Sequence, residues 1–425
     1  MKIIFIIIDG LGDKPIPKLG NKTPLEAAKT PNLDWLAKNG ICGLIKPFYF
    51  PWQRYPRSDT AHLALFGYNP KVYYLGRGPY EAAGIGFDLK EGDVALRANF
   101  GTVNKNLKVI DRRAGRINET LPLVKALDGM NIEGIKFLVK KSYGHRAVLI
   151  LRALPNFKKN LGRRGRNPSD KITDSDPHKV GVRVKKVFPQ NKSREAKYTA
   201  QVLNKFLEKA YQILRNHPLN KKRVKLRKTP ANYLLVRGAG KLRKIPSFYQ
   251  RYQLKACCIA GGALYKGIAK ILGMKLIKIK GATGFASTNL KGKFEGAKKA
   301  LKKPAPHRNA VSGAGYNFIF CHIKAADNLA EDGNFPGKKE FIEKIDKNIK
   351  TFLKLKNVLI VVTGDHSTCS LLQRHCVEPV PVLIFGSRTD KVKEFNEKAC
   401  QKGKLRKINQ LNLMPKVLLC TKRNL

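Results

Sequence analysis

Apolar positions along this chain fall into two patterns. One is the short run: Ile3 to Ile8, Phe318 to Ala326 (broken only at His322 and Lys324), Val358 to Gly364 and Val380 to Phe385 leave little room for a solvent-facing side. Runs of this length predict strands buried on both faces, as in the parallel sheet of an α/β fold. The other pattern has helical spacing. Ala196, Ala200, Leu203, Leu207, Ala210 and Leu214 recur every three or four residues within Ser193 to Arg215, which predicts one long amphipathic helix. Phe341, Ile345, Ile349 and Phe352 mark another over Lys338 to Leu355, and Gly273 stops a third over Ala263 to Leu272. Near the start, Thr23-Pro24-Leu25-Glu26 has capping-box spacing, Thr30-Pro31 opens a helix that Gly40 can end, and Ser58 begins a short helix to Leu65.

From about Gly92 the texture changes. β-Branched and basic residues alternate with turn residues through Val94 to Phe100, Leu107 to Arg112 and Ala147 to Leu151, and α/β alternation resumes in the last third. The chain is also too long for one ordinary core. These features predict a discontinuous first domain, residues 1–92 and 249–425, with a core sheet flanked by helices. A smaller α/β (α+β) domain is inserted over 93–248. The aperiodic basic stretch Asn156 to Lys171 reads as an exposed loop. The glycine-rich Gly76-Arg77-Gly78-Pro79 and Gly84-Ile85-Gly86 read as places where backbone amides approach an anion.

Composition narrows the class. No segment approaches the roughly 18 to 20 unbroken apolar residues of a membrane span. Ile3 to Ile8 is too short for a signal peptide and ends in Asp9-Gly10 without a small-residue cleavage site, so a cytoplasmic protein with no membrane partner is expected. The eight cysteines lack CxxC spacing and the density of a disulfide scaffold, which predicts free, mostly buried thiols. Cys369 and Cys376 flank His366 and His375, which leaves a soft zinc site as the lesser alternative. Lys and Arg number 84 against 30 Asp and Glu, a formal charge of +54. Such a field attracts polyanions without choosing among them: a small phosphorylated acid, or nucleic acid non-specifically. The basic residues are spread over nearly the whole chain with no aromatic-interleaved RNA motif, so a proteome-wide bias outranks dedicated nucleic-acid recognition.

Against that excess of base, a few acidic and imidazole groups stand out by position. Asp9 follows Ile8, Asp327 follows Ala326, and Asp365 with His366 follows Gly364. The carboxyl ends of strands in an open α/β sheet are where ligands and catalytic groups collect, so three such endings predict one shared site. With His375 and Ser58 they supply hard ligands for two divalent cations and a nucleophile. Asp327, His375 and Glu331 suit one ion; Asp9, Asp365, His366 and Ser58 suit the other. Paired ions hold both the entering and the leaving oxygen of a displacement at phosphorus. A metal-bound serine loses its proton more readily, and a helix N-terminus behind Ser58 favours a phosphoserine. Each residue also has a plainer role: Ser58 as a helix cap, Asp9-Gly10 as a turn, His375 as an ordinary histidine. Independent caps and turns have no reason to recur at strand ends.

Several strings carry a resemblance. Ile7-Ile8-Asp9-Gly10-Leu11-Gly12-Asp13, Ser58-Asp59-Thr60-Ala61-His62-Leu63-Ala64-Leu65-Phe66-Gly67-Tyr68, Gly76-Arg77-Gly78-Pro79, His322-Ile323-Lys324-Ala325-Ala326-Asp327 and Thr363-Gly364-Asp365-His366-Ser367-Thr368 resemble the archaeal type of 2,3-bisphosphoglycerate-independent phosphoglycerate mutase, in the alkaline phosphatase superfamily. The likeness runs from the first residues to about Lys416. It implies an alkaline-phosphatase-like core whose insertion clamps the substrate. It also implies interconversion of 3-phosphoglycerate and 2-phosphoglycerate in glycolysis and gluconeogenesis, without bisphosphoglycerate. Ser58 would take and return the phosphoryl group. Metal ligands carry over to Asp9, Ser58, Asp327, Asp365, His366 and His375, with manganese, magnesium, cobalt or zinc as the ion.

Bidentate arginine suits both a carboxylate and a phosphate. Within family-like strings the candidates for holding the substrate are Arg112, Arg113, His145, Arg146 and Arg237, and Asp176 and His178 are candidates for proton transfer. The chain departs from the family pattern at four places. Glu331 replaces a histidine, Arg57 replaces a glycine before the serine, Ser367-Thr368-Cys369-Ser370 lacks a proline, and Lys302 to Asn317 is unlike the usual short lead into the next strand. The competing readings are another two-metal phosphomonoesterase or a phosphopentomutase, and a catalytically weakened basic protein that binds nucleic acid.

Overall fold

The structure, a computed structural model, describes residues 1–155, 167–302 and 315–421. Most of Asn156 to Lys171 and of Lys302 to Asn317 therefore lies outside the described residues. The chain forms two compact units, Met1–Tyr74 with Ile245–Leu425, and Leu75–Lys244. The insertion begins at Leu75 rather than at residue 93, because the helix Arg77–Gly84 packs against the strands Val94–Val103 and Tyr233–Lys241. Its return falls at Lys244 rather than Phe248.

In the first unit an eight-stranded sheet runs in the order Lys275–Leu276, Ala256–Ile259, Phe318–Ile323, Lys2–Ile8, Val358–Thr363, Val380–Phe385, Gly40–Lys46, Arg406–Asn409. The first five strands are mutually parallel, and Val380–Phe385 runs against both its neighbours. Helices cover both faces, which is why the central strand can read Ile-Ile-Phe-Ile-Ile-Ile with every side chain from Ile3 to Ile8 buried. Burial of each such side chain contributes about 1.5–3 kcal/mol. Ile4, Ile6 and Ile8 join Leu33, Leu36, Phe341 and Ile345 on one face. On the other, Phe5 meets Phe66 and Phe318 at ring separations of 5.9 and 5.7 Å, which seats the end of the helix Ser58–Leu65.

Local signals explain several element ends. Thr23 and Glu26 form the reciprocal capping box, Glu26 N–H to Thr23 Oγ1 at 3.0 Å and Thr23 N–H to Glu26 Oε2 at 2.8 Å. The helix expected over Lys338 to Leu355 runs instead over Phe335–Ile349 and tightens into a 3₁₀ turn at Lys350–Phe352. Asn334 caps its first turn, where Pro336 lacks only an N–H that a helix start leaves unpaired anyway. Gly273, at φ +77°, follows the helix Ala263–Ile271 in the left-handed conformation.

The second unit is an antiparallel sheet in the order Val109–Asp111, Val94–Val103, Arg146–Ala153, Ile135–Lys141, Met130–Ile132, with Tyr233–Lys241 also paired to Val94–Val103. Its larger core includes Leu96, Phe100 and Phe137 beneath the helix Arg194–Asn216, where Phe137 and Phe206 stack at 4.2 Å. The helix Arg77–Gly84 covers a smaller cluster of Ala82, Ala95, Val148 and Ile150. Close packing, not anion approach, explains two of the glycines here. A Cβ at Gly78 would stand 1.9 Å from the Ala95 carbonyl oxygen, and one at Gly76 2.3 Å from that of Ala239.

Candidate active site

Sheet register brings the candidate residues of the first unit to one edge. Ile7 pairs with Thr363 and Ile8 with Ile323, so Asp9 and Asp365 leave the sheet side by side. Asp327 departs from the expectation: it is the third residue of the helix Ala325–Glu331, not a strand ending, because the strand stops at Ile323. The loops meet closely at Gly10, φ +68°, where a Cβ would stand 2.6 Å from Thr368 Oγ1 and 2.7 Å from Asp327 Cβ. Ser58 opens its helix without capping it; Arg57 is the cap position and makes no side-chain cap bond. The serine hydroxyl instead lies 3.2 Å from His366 Nε2.

Two overlapping groups have the spacing of metal ligands. Asp9, Asp365 and His366 offer atoms within 4.8 Å of one another, and so do Asp327, His366 and His375. His366 thus stands in both groups rather than with Asp9 and Asp365 alone. Glu331 Oε1 lies farther out, 3.9 Å from His375 Nε2. Hydrogen bonds set the imidazoles for ligation. Thr368 donates its only hydroxyl proton to Asp327 at 2.6 Å, so His366 Nδ1–H donates to Thr368 at 3.2 Å and Nε2 presents its lone pair. His375 Nδ1–H donates to the Pro56 carbonyl at 2.8 Å and likewise frees Nε2, which stands 3.5 Å from Asp327. Asp9 Oδ1 and Asp365 Oδ2 are buried with no hydrogen-bond partner. Buried carboxylate oxygens without compensation are costly, and a divalent cation supplies it. The residues present therefore fit a hard metal centre.

The electrostatics agree with that fit. Burial, then the charge of Asp9, pushes the Asp365 carboxyl up to about 7. Burial also opposes ionisation of Asp9, but Lys324, His322 and His366 hold it well below the ordinary carboxylate range. Lys324 bridges Asp9, at 3.2 Å, and Asp327. Burial works against its charge, and the two aspartates overcome that and raise it. The sequence reading missed Lys324, though it lies inside a family-like string. It also missed Tyr265, which donates to Asp9 Oδ2 and stacks on His322, and His62, whose Nδ1–H donates to the Ser58 carbonyl at 2.7 Å. Burial first, then the neighbouring His62 and Lys293, pushes His322 down to about 3 against the opposing pull of Asp9.

The expectation of free thiols fails at one pair. Cys369 and Cys376 form a disulfide between the strands Ser367–Cys369 and Arg374–Cys376, which also removes the soft zinc alternative. Their antiparallel register brings the two sulfurs into reach, a pairing that sequence spacing does not reveal. The other six cysteines are free. Arg57, the departure before the serine, points to Asp59 at 3.5 Å.

In the second unit Arg112 grips Asp176 through two hydrogen bonds, 3.0 and 2.7 Å. Burial opposes the charge of Asp176, but Arg112, with Arg237 and the His178 backbone N–H, holds it down to about 2. Arg237 Nη1 donates to His178 Nδ1 at 3.1 Å, so the ring carries its proton on Nε2, 3.4 Å from Asp174. A cavity of about 490 Å³ opens here, lined among others by Asp174, Asp176, His178, Lys185 and Lys186. Arg113 is exposed, with its backbone N–H bound to Asp111. Burial and then the nearby arginines, Arg146 first, push His145 down to about 3.

Comparison with known proteins is consistent along the whole chain. The family profile for 2,3-bisphosphoglycerate-independent phosphoglycerate mutase matches residues 37–220. The Methanocaldococcus jannaschii protein named 2,3-bisphosphoglycerate-independent phosphoglycerate mutase 1 is 44% identical over 430 residues, covering 100% of this chain and 98% of the relative. Its Archaeoglobus fulgidus namesake is 42% identical, covering 97% and 96%. Among solved structures, a Pyrococcus horikoshii protein superposes with TM-score 0.79 at 33% identity over 100% of this chain and 98% of its own. The cofactor-independent phosphoglycerate mutase of Thermoplasma acidophilum gives 0.65 at 37% identity over 99% and 100%. With full-length relatives well above 30% identity, this chain belongs to the 2,3-bisphosphoglycerate-independent phosphoglycerate mutase family.

Proposed function

We propose that this protein interconverts 3-phosphoglycerate and 2-phosphoglycerate through a phosphoserine on Ser58, as a cytoplasmic enzyme of glycolysis and gluconeogenesis. The observation that carries the reading is the Ser58 hydroxyl, 3.2 Å from an imidazole nitrogen shared by two ligand groups. Asp9, Asp365, His366 and Ser58 would hold one divalent ion, and Asp327, Glu331 and His375 the other, His366 standing within reach of both. When bound, manganese, magnesium, cobalt or zinc neutralises charge at phosphorus and lowers the pKa of the serine. Ser58 Oγ bonds to phosphorus as the ester bond to one glycerate oxygen breaks. That oxygen takes up a proton, the neighbouring hydroxyl gives one up, and phosphorus returns to glycerate with Ser58 restored. The N-terminus of the helix Ser58–Leu65 and the Lys324 ammonium favour the added negative charge.

The second unit supplies the groups for the acid: Arg112, Arg113, His145, Arg146 and Arg237 bind it, and His178 handles the proton. Asp176, gripped by Arg112, has no proton to give at neutral pH, so it orients Arg112 and His178 rather than acting as an acid. Among the described residues no helix is long and apolar enough to cross a membrane. The experiment is an enolase-coupled assay with manganese and no bisphosphoglycerate. Conversion of 3-phosphoglycerate is expected, with a loss of about a thousandfold or more in Ser58→Ala. Turnover retained by that variant removes Ser58 from the mechanism, and free phosphate as the main product replaces the mutase with a phosphatase.

A further inference from the structure

The polar face of the second unit's sheet extends beyond the Arg112–Asp176 pair. Asn99 lies opposite Arg146 on one neighbouring strand, and Arg97 opposite Arg237 on the other. Directly opposed residues of an antiparallel ladder project to the same side, and so do residues two apart, so all four share one face. The helix Arg77–Gly84 adds Arg77 and Glu81 to it. Glu81, 4% exposed, accepts from Arg77 Nε at 3.1 Å and stands 3.6 Å from Arg97 Nη1. Close approach of that helix is secured at Gly238, φ +63°, where a Cβ would stand 2.8 Å from Arg77 Cβ.

Two carboxylates, Glu81 and Asp176, stand among the guanidinium groups of this face. Glu81 answers Arg77 and Arg97, while Asp176 is shared by Arg112 at 2.7 Å and Arg237 at 4.0 Å. Burial weakens the charged form of Arg97, and Arg77, Arg237 and Arg146 weaken it further. Arg97 is 6% exposed, yet its Nε–H has no hydrogen-bond partner, and neither does the buried Asn99 Oδ1. An unmade bond to a buried charged donor is costly, and a folded protein carries that cost where a ligand completes the bond. The missing partner must accept from a guanidinium and donate to an amide oxygen. A carboxylate with a hydroxyl on the adjacent carbon does both. Arg146 and Arg237, on the same face, are only partly buried.

We propose that Arg97 and Asn99 recognise the carboxylate and neighbouring hydroxyl of the three-carbon acid, and that Glu81 is a positioning residue which fixes Arg77 and Arg97 for this. The inference rests on the mutase reading for its substrate. Calorimetric titration of full-length, manganese-loaded Ser58→Ala protein tests it without turnover. The two probes are 3-phosphoglycerate and glycerol 3-phosphate, which lacks the carboxylate. In that background 3-phosphoglycerate should bind at least about tenfold more tightly, the worth of one bidentate guanidinium–carboxylate pair. Adding Arg97→Lys or Glu81→Gln should bring the ratio close to one while leaving glycerol 3-phosphate affinity in place, and Glu81→Asp should restore part of it. A ratio that survives both substitutions overturns the assignment, as does equal loss of both probes in protein that keeps its melting temperature. If Arg97→Lys does not fold, the near-isosteric Glu81→Gln carries the test alone. Should the wild-type protein prove not to be a mutase, the ratio of the two affinities still reports on the carboxylate site.

Discussion

Asp365 gives the proposed metal centre a pH dependence. Burial and Asp9 push its carboxyl up to about 7, so at pH 6 it mostly carries a proton and at pH 8 it does not. Proton and metal compete for the same oxygen, and lower pH favours the proton. Manganese affinity measured by calorimetry should therefore weaken about tenfold from pH 8 to pH 6, the signature of one displaced proton. Asp365→Asn should bind more weakly at both values and lose that dependence; an unchanged slope in the variant would assign the proton elsewhere. Glu331, across from His375, makes a second residue-scale prediction. Carboxylate favours magnesium and manganese over zinc relative to imidazole, so Glu331→His should shift relative affinity toward zinc. Metal competition on one sample reads this directly, and an unaltered order would take Glu331 out of the ligand set. At this scale a side chain was legible where an acidic group closed an apolar run in a chain short of acid. Asp9, Asp327 and Asp365 stand out in that way, whereas Lys324 is one cation among 84 and Tyr265 an ordinary apolar position of a helix. Only the contact of Tyr265 with Asp9 gives it meaning.

The hairpin that carries His375 depends on a bond the sequence concealed. Its strands Ser367–Cys369 and Arg374–Cys376 are three residues each, too short for independent stability, and the Cys369–Cys376 disulfide closes them. A loop of this size is stabilised by about 2 kcal/mol through chain entropy. Reduction, or Cys376→Ser, should lower unfolding free energy by about that amount and weaken manganese binding at the site proposed on Asp327 and His375. Denaturant titration with and without dithiothreitol, paired with calorimetry, checks both effects; unchanged metal affinity after reduction would show that packing alone holds His375. Elements with long periodicity, such as Arg194–Asn216, were legible because one apolar stripe admits one packing. The helix Arg77–Gly84 was not. Glycines that let a helix touch a strand look the same in sequence as glycines that admit an anion, and that ambiguity also displaced the domain boundary. Gly78→Ala should thus cost about 1–3 kcal/mol by overpacking against the Ala95 carbonyl, read as a lower melting temperature.

Over the whole molecule the formal charge of +54 acts on every anion, substrate included. A field of this kind raises encounter rates with a phosphorylated acid and is weakened by salt. It also makes polyanions competitors, and the spread of basic residues over the chain argues for attraction without sequence choice. RNA should bind through phosphate contacts alone, so affinity should drop by about three orders of magnitude or more between 50 and 200 mM salt, and unrelated sequences should compete equally. The proposed metal centre draws its ligands from the first unit and its chemistry does not need that field, so mutase activity at saturating substrate should survive the salt that abolishes RNA binding. Filter binding and the coupled assay, run on one salt series, separate the two behaviours. A strong preference for one RNA sequence at high salt would show a dedicated nucleic-acid site, and the basicity would then belong to recognition rather than to the background against which the enzyme works.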